Sequence, residues 1–174
     1  MKSLLLVLLL FVCACATQNK KEAPLNTINF DTHSIVLAKF DINVNSKAMN
    51  SCSVKIESAD GKSKWYKLSN DNYLFLALPK GNTKFETLDC KDFTARKLLQ
   101  KSPSFYLDED DSMVYLGSIN VNGQSDPSST GLTSKYKVNY EYTSKDQWAR
   151  DYTAYKQRFN DNRDLDVKRA FIFK

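Results

Sequence analysis

Ser34–Val44 reads SIVLAKFDINV. Val36, Ala38, Phe40, Ile42 and Val44 alternate with Leu37, Lys39, Asp41 and Asn43. A period of two sends alternate side chains to opposite faces of a pleated strand. One face here is apolar and the other mostly polar, which predicts a half-buried β-strand.

The same period recurs along the chain. Cys52, Val54 and Ile56 share a face, with Ser53, Lys55 and Glu57 opposite. Asp60-Gly61 is a hairpin turn signal, and Lys64–Leu68 is the expected return strand. Tyr73–Leu78 (YLFLAL) is apolar on both faces, which suits a central strand. Pro79-Lys80-Gly81-Asn82 breaks it, and Lys84–Cys90 alternates again, with Leu88 and Cys90 on one face. Phe105–Leu107 and Val114–Val121 read as strands, and a turn of helix is expected around Ala95–Leu99. Lys135–Tyr142 alternates with Tyr136, Val138, Tyr140 and Tyr142 on one side.

The period then changes to 3.6. Trp148, Tyr152, Tyr155 and Phe159 fall at i, i+4, i+7 and i+11, an aromatic stripe on one helix face. Lys145, Arg150, Lys156 and Arg158 lie on the other. Ser144 with Gln147 three residues later forms a capping-box pattern, so the helix is expected over about 144–160. Ala170–Phe173 reads as a final strand or docking segment. About seven short strands at hairpin spacing followed by one helix predict a mainly β fold: an antiparallel β-sandwich with a C-terminal amphipathic α-helix.

The N-terminus sets the compartment. Lys2 precedes the apolar run Leu4–Val12, which is too short to span a bilayer and has the length of a signal-peptide core. Val12-Cys13-Ala14-Cys15 follows. It resembles the lipobox of bacterial lipoproteins, with Val12 three places before Cys15 and a small residue, Ala14, directly before it. The resemblance implies removal of residues 1–14 and lipidation of Cys15; a plain secretory signal and a retained anchor are the alternatives. Several acyl chains give stable membrane anchoring where one gives marginal binding. Ala16 after the modified position, rather than Asp, implies by the same resemblance an outer-membrane location. Residues 15–33 are read as lipidated Cys15 and a flexible tether, and residues 34–174 as the folded domain. Cys52 and Cys90 are then an even pair in an oxidising compartment and are expected to form a disulfide, with buried free thiols as the alternative.

Leu78-Pro79-Lys80-Gly81, the strand carrying Phe85, and Val114-Tyr115-Leu116-Gly117-Ser118-Ile119 resemble transthyretin-like, carboxypeptidase-regulatory-like sandwich modules of envelope proteins. Such modules are usually non-enzymatic, and the resemblance implies the same here.

Residue chemistry offers few catalytic openings. His33 is the single histidine, at the tether boundary, and the nucleophile-elbow, Walker, dinucleotide-binding and HExxH patterns do not occur. No cofactor is expected. Asp108-Glu109-Asp110-Asp111 is read as a solvated acidic turn, with a calcium site as the weaker alternative, because its spacing is not that of an EF-hand. Tyr136, Tyr140 and Tyr142 are read as core, or alternatively as a surface that stacks sugars. Losing Lys2 with the leader leaves 24 positive against 20 negative residues, a net +4. The basic residues are dispersed, so nucleic acid is not an expected partner. The expected function is a lipid-anchored, non-enzymatic protein that binds or braces another envelope component, with small-ligand or glycan binding as the alternative.

Overall fold

The computed structural model describes residues 25–90, 103–125 and 138–173. They form two β-sheets and one helix. After a 3-10 turn at Leu25–Thr27 come β1 (His33–Val44), β2 (Lys47–Ala48), β3 (Cys52–Glu57), β4 (Ser63–Lys67), β5 (Tyr73–Pro79) and β6 (Gly81–Cys90). Then follow β7 (Ser104–Leu107), β8 (Met113–Ser125), β9 (Val138–Lys145), α1 (Trp148–Phe159) and β10 (Val167–Arg169). The smaller sheet has the order β4-β3-β6-β7. The larger centres on β1 and β8, with β5 and β2 along the free side of β1 and β10 and β9 along the free side of β8.

The sheets pack face to face in a sandwich-like arrangement. Val36, Ala38, Phe40 and Ile42 of β1 meet Val54, Ile56, Phe85 and Leu88 of the smaller sheet in one core, and the Phe40 and Phe85 rings meet edge to face at 6.0 Å. A second core lies on the far side of the larger sheet. There Ile35, Leu37, Met113 and Tyr115 pack against Tyr155, with Trp148, Tyr152 and Phe159 alongside. The aromatic stripe of α1 therefore faces this core, with Tyr155 buried and Trp148, Tyr152 and Phe159 partly buried, and the described residues form three layers.

This third layer changes two strand readings. β1 is half-buried only in its second half; near its start Ile35 and Leu37 are buried as well, because α1 covers their face. β5 is not central. It pairs with β1 alone, and its two apolar faces reflect cover on both sides, with Leu74, Leu76 and Leu78 in the intersheet core and Phe75 against Tyr155 and Phe159.

The topology also departs from a purely antiparallel sandwich. β1 and β8 run parallel from Ile35↔Met113 to Val44↔Gly123, and β10 runs parallel to β8. Ten strands, several very short, replace the expected seven or so. Between β5 and β6 the chain leaves one sheet for the other at Pro79-Lys80-Gly81. Gly81 has φ +116, and a Cβ there would lie 2.8 Å from the Ala59 Cβ, so the corner needs glycine on both counts. Gly117 (φ +89) lies where the β1–β8 register shifts, and a Cβ on it would sit 2.8 Å from the Phe171 ring.

The C-terminal elements are displaced from their expected positions. β9 continues through Lys145, and Ser144 is not a helix cap: its N–H donates to the Phe173 carbonyl and its hydroxyl accepts from the Phe173 N–H. Helix α1 starts at Trp148, whose N–H donates to the Asp146 carboxylate, and stops at Asn160 in the left-handed conformation. The last strand is Val167–Arg169 rather than 170–173; Ala170, Ile172 and Phe173 dock on the intersheet core.

The folded part begins before residue 34. Leu25 is buried, and Ile28 and Phe30 pack on the helix-side core. Cys15, the helical turn expected at 95–99 and Tyr136 lie outside the described residues, as does the Tyr140 side chain.

Candidate functional site

Cys52 and Cys90 stand directly opposite in the β3–β6 register and are joined by a disulfide, with Cα atoms 4.0 Å apart. The pairing expected from cysteine parity and inward alternation is the one present. Both cysteines are buried, so the bond staples neighbouring strands inside the core rather than offering a surface thiol pair.

The acidic turn is partly engaged. Asp108 and Asp111 converge on the Lys168 ammonium, and the Asp111 carboxylate also accepts the Asp108 N–H at 3.0 Å. Lys168 is pushed above its ordinary value, chiefly by the hydrogen bond to Asp108. Glu109 and Asp110 are exposed. Among the described residues no cluster of acids, cysteines and histidine is arranged to hold a metal.

Two buried carboxylates were not singled out by sequence reasoning. Asp151 is 0% exposed although it lies in the first turn of α1. Tyr73 of β5 donates to it at 3.0 Å and Tyr115 of β8 at 2.7 Å, and the neighbouring Arg150 Nε at 2.8 Å. Arg150 also donates to Ser118 Oγ at 2.6 Å. Burial, and then Asp151, push the Tyr73 hydroxyl up to about 12; burial and the Asp151 hydrogen bond push Tyr115 up too. Both phenols therefore stay protonated and donate, which a buried carboxylate requires. Asp151 stands three residues after Trp148, on the apolar stripe itself. A carboxylate on such a stripe was the readable signal.

The second is Asp161, just beyond the helix. It accepts from the Tyr155 hydroxyl and from Arg163 Nε at 2.8 Å. The Arg163 guanidinium holds the Asp161 carboxyl well below its usual range, and burial pushes Tyr155 up. Arg163 also donates to the Leu25 carbonyl at 2.8 Å and lies 4.8 Å from the centre of the Phe30 ring. Both carboxylates are thus occupied by donors of the chain itself, and they fasten α1 and the leading segment to the larger sheet.

The outer face of the smaller sheet is different. Ser53, Lys55 and Glu57 point away from the core on β3, with Trp65 opposite Lys55 on β4 and Tyr106 opposite Asn82 on β7. Trp65 is 52% exposed and Tyr106 56%, at the two edges of this sheet. Between them Lys55 pairs with Glu86 at 2.7 Å and Ser63 donates to Glu86 at 3.0 Å. Exposed aromatic side chains on an otherwise polar sheet face suit the contact of another macromolecule more than the enclosure of a small one. Of the tyrosines considered as a sugar-stacking surface, Tyr142 is stacked on Phe173 at 5.1 Å and faces the intersheet core.

No family profile, no curated protein and no solved structure matches this chain. Among the described residues no helix is long and apolar enough to cross a membrane.

Proposed function

We propose that this is a lipid-anchored, non-enzymatic envelope protein that binds or braces another envelope component through the outer face of its smaller sheet. Cys15 carries the lipid at the outer membrane; Val12, Ala14 and Ala16 support that part of the reading. The resemblance to transthyretin-like modules belongs to the same reading, and the sheet-switching corner at Leu78–Gly81 is in keeping with it. The observation that carries the proposal is the polar outer face of the smaller sheet, on which no element among the described residues lies, bordered by exposed Trp65 and Tyr106.

Photo-crosslinking residues placed at 65, at 106 and, as a control, at Gln157 on the exposed side of α1 test it in intact cells. The expected result is one shared adduct from 65 and 106 and none from 157, with the 106 adduct weakened by Trp65→Ala. Equal adducts from all three positions, or none from 65 and 106, would overturn the proposal.

A further inference from the structure

The anchor and the fold are joined by less chain than the composition of residues 15–33 suggests. Leu25 is 5% exposed and lies among Ile35, Leu37, Tyr155 and Leu165. Its carbonyl is held by Arg163, which is itself fixed by Asp161 beneath Tyr155. Phe30 lies under the same guanidinium. The Thr32 carbonyl accepts the Lys80 N–H at 3.0 Å, and His33 pairs with Pro79. Residues 25–33 are thus fastened to the larger sheet at the end where β1 begins and β5 finishes.

We infer that this segment is a foot that sets the orientation of the domain at a bilayer: the end bearing the Pro79–Gly81 corner and the 108–111 turn faces the lipid, and the β1–β2 turn points away. This rests on the reading of Cys15 as the anchor. Ten peptide links separate Cys15 from Leu25, which span at most about 35 Å. The eleven steps from the first to the last residue of β1 rise about 36 Å from the foot to the opposite end. Only a fully extended leash would match that rise, so the two ends are not equivalent to the membrane.

The charge of the footed end says how it is held there. Asp31, Glu109, Asp110, Asp164 and Asp166 are exposed at this end. An anionic headgroup surface repels them rather than adsorbing them, within a screening distance of about 8 Å. Of the basic residues at this end, Arg163 is paired with Asp161 and Lys168 with Asp108 and Asp111, so the folded end itself is not drawn to an anionic surface and the leash, with Lys20 and Lys21 in it, holds it near the lipid.

The test uses the full lipidated chain in vesicles of neutral phospholipid containing acceptor-labelled lipid. Flotation and mass spectrometry of the N-terminus first establish the anchor. A donor dye is then placed at Asp110→Cys or at Lys47→Cys, both exposed. Strong transfer to the lipid is expected from 110 and little from 47. Arg163→Ala combined with Leu25→Ser should narrow the difference, and a matched double substitution at Thr153 and Gln157 should not. Raising the share of anionic lipid should lower transfer from 110. Protein that fails to float, or that starts elsewhere than Cys15, overturns the anchor on which the inference rests. Protein that floats but gives equal transfer at both positions, or more at 47, overturns the foot and leaves the anchor standing.

Discussion

The larger sheet presents Ile35, Leu37, Phe75, Met113 and Tyr115 to its outer side, and α1 lies on them. The smaller sheet presents Ser53, Lys55, Glu57 and Trp65 to its outer side, and no element among the described residues lies on these. Both sheets donate their other face to the same core. The difference therefore lies in the second residue of each alternating pair. Where it is apolar, water must be excluded from it and a further layer is recruited; where it is charged, burial gives no such drive. On the proposed function, stability and recognition fall on opposite sides of one molecule.

The sharpest way to break this comparison is to cut into the covered side. Tyr155 is 0% exposed and its hydroxyl donates to Asp161. Tyr155→Ala should lower unfolding free energy by about 3–5 kcal/mol, the range for deleting a buried aromatic. Denaturant unfolding reads this; a loss under about 1 kcal/mol, as for an ordinary surface change, would mean that α1 does not seal the sheet.

Next in size is the staple of the bare side. The Cys52–Cys90 disulfide closes 38 residues, and Cys52→Ser or Cys90→Ser should each cost about 2–5 kcal/mol. Loss of the bond should loosen β3 and β6 before α1, visible as faster hydrogen exchange in the smaller sheet. Uniform loosening of both sheets would erase the distinction.

A smaller effect separates the two sides by pH. Tyr73 titrates at about 12 in the folded protein and near 10 in an unfolded chain. A raised folded value means that its contribution is fully present below about pH 10 and is lost as pH rises through 10 toward 12. Tyr115 and Tyr155 are shifted the same way. Thermal unfolding should thus fall in the alkaline range, less steeply in Tyr73→Phe. An identical slope in that variant would remove Tyr73 from the account.

The least effect on stability is expected from Trp65→Ala, within about 0.5 kcal/mol for an exposed position. The same substitution should weaken the crosslink from 106, and this pairing of a silent fold with altered contact is what an interaction face predicts. A stability loss comparable to that of Tyr155→Ala would place Trp65 in the core.

Much of this was legible from local pattern. The alternation of Val54, Ile56, Leu88 and Cys90 gave β3, β6 and their bridge, and the 3.6 spacing of Trp148, Tyr152, Tyr155 and Phe159 gave the helix and its buried side. What was misread depends on contacts between distant residues. Apolarity on both faces of β5 reports cover on two sides, which a central strand and a helix-capped edge share. Ser144 has the chemistry of a cap, but the Phe173 backbone, 29 residues on, takes its hydrogen bonds. Leu25–Thr32 looks like polar linker because what fastens it, Arg163, comes from the far end of the chain. The bare face was only half readable: the charges on β3 were plain, but the exposure of Trp65 depends on which strand became the edge.

The parallel pairing of β1 with β8 bears on how fast the chain finds this structure. Its first register pair joins Ile35 to Met113, and parallel strands gain nothing until the whole intervening loop has closed. The β3–β4 hairpin, by contrast, needs only the turn at 58–62. Local hairpins therefore form in microseconds, while the central strands of the larger sheet wait on a long closure. Folding slower than that of the local hairpins is the expectation for so non-local a pairing.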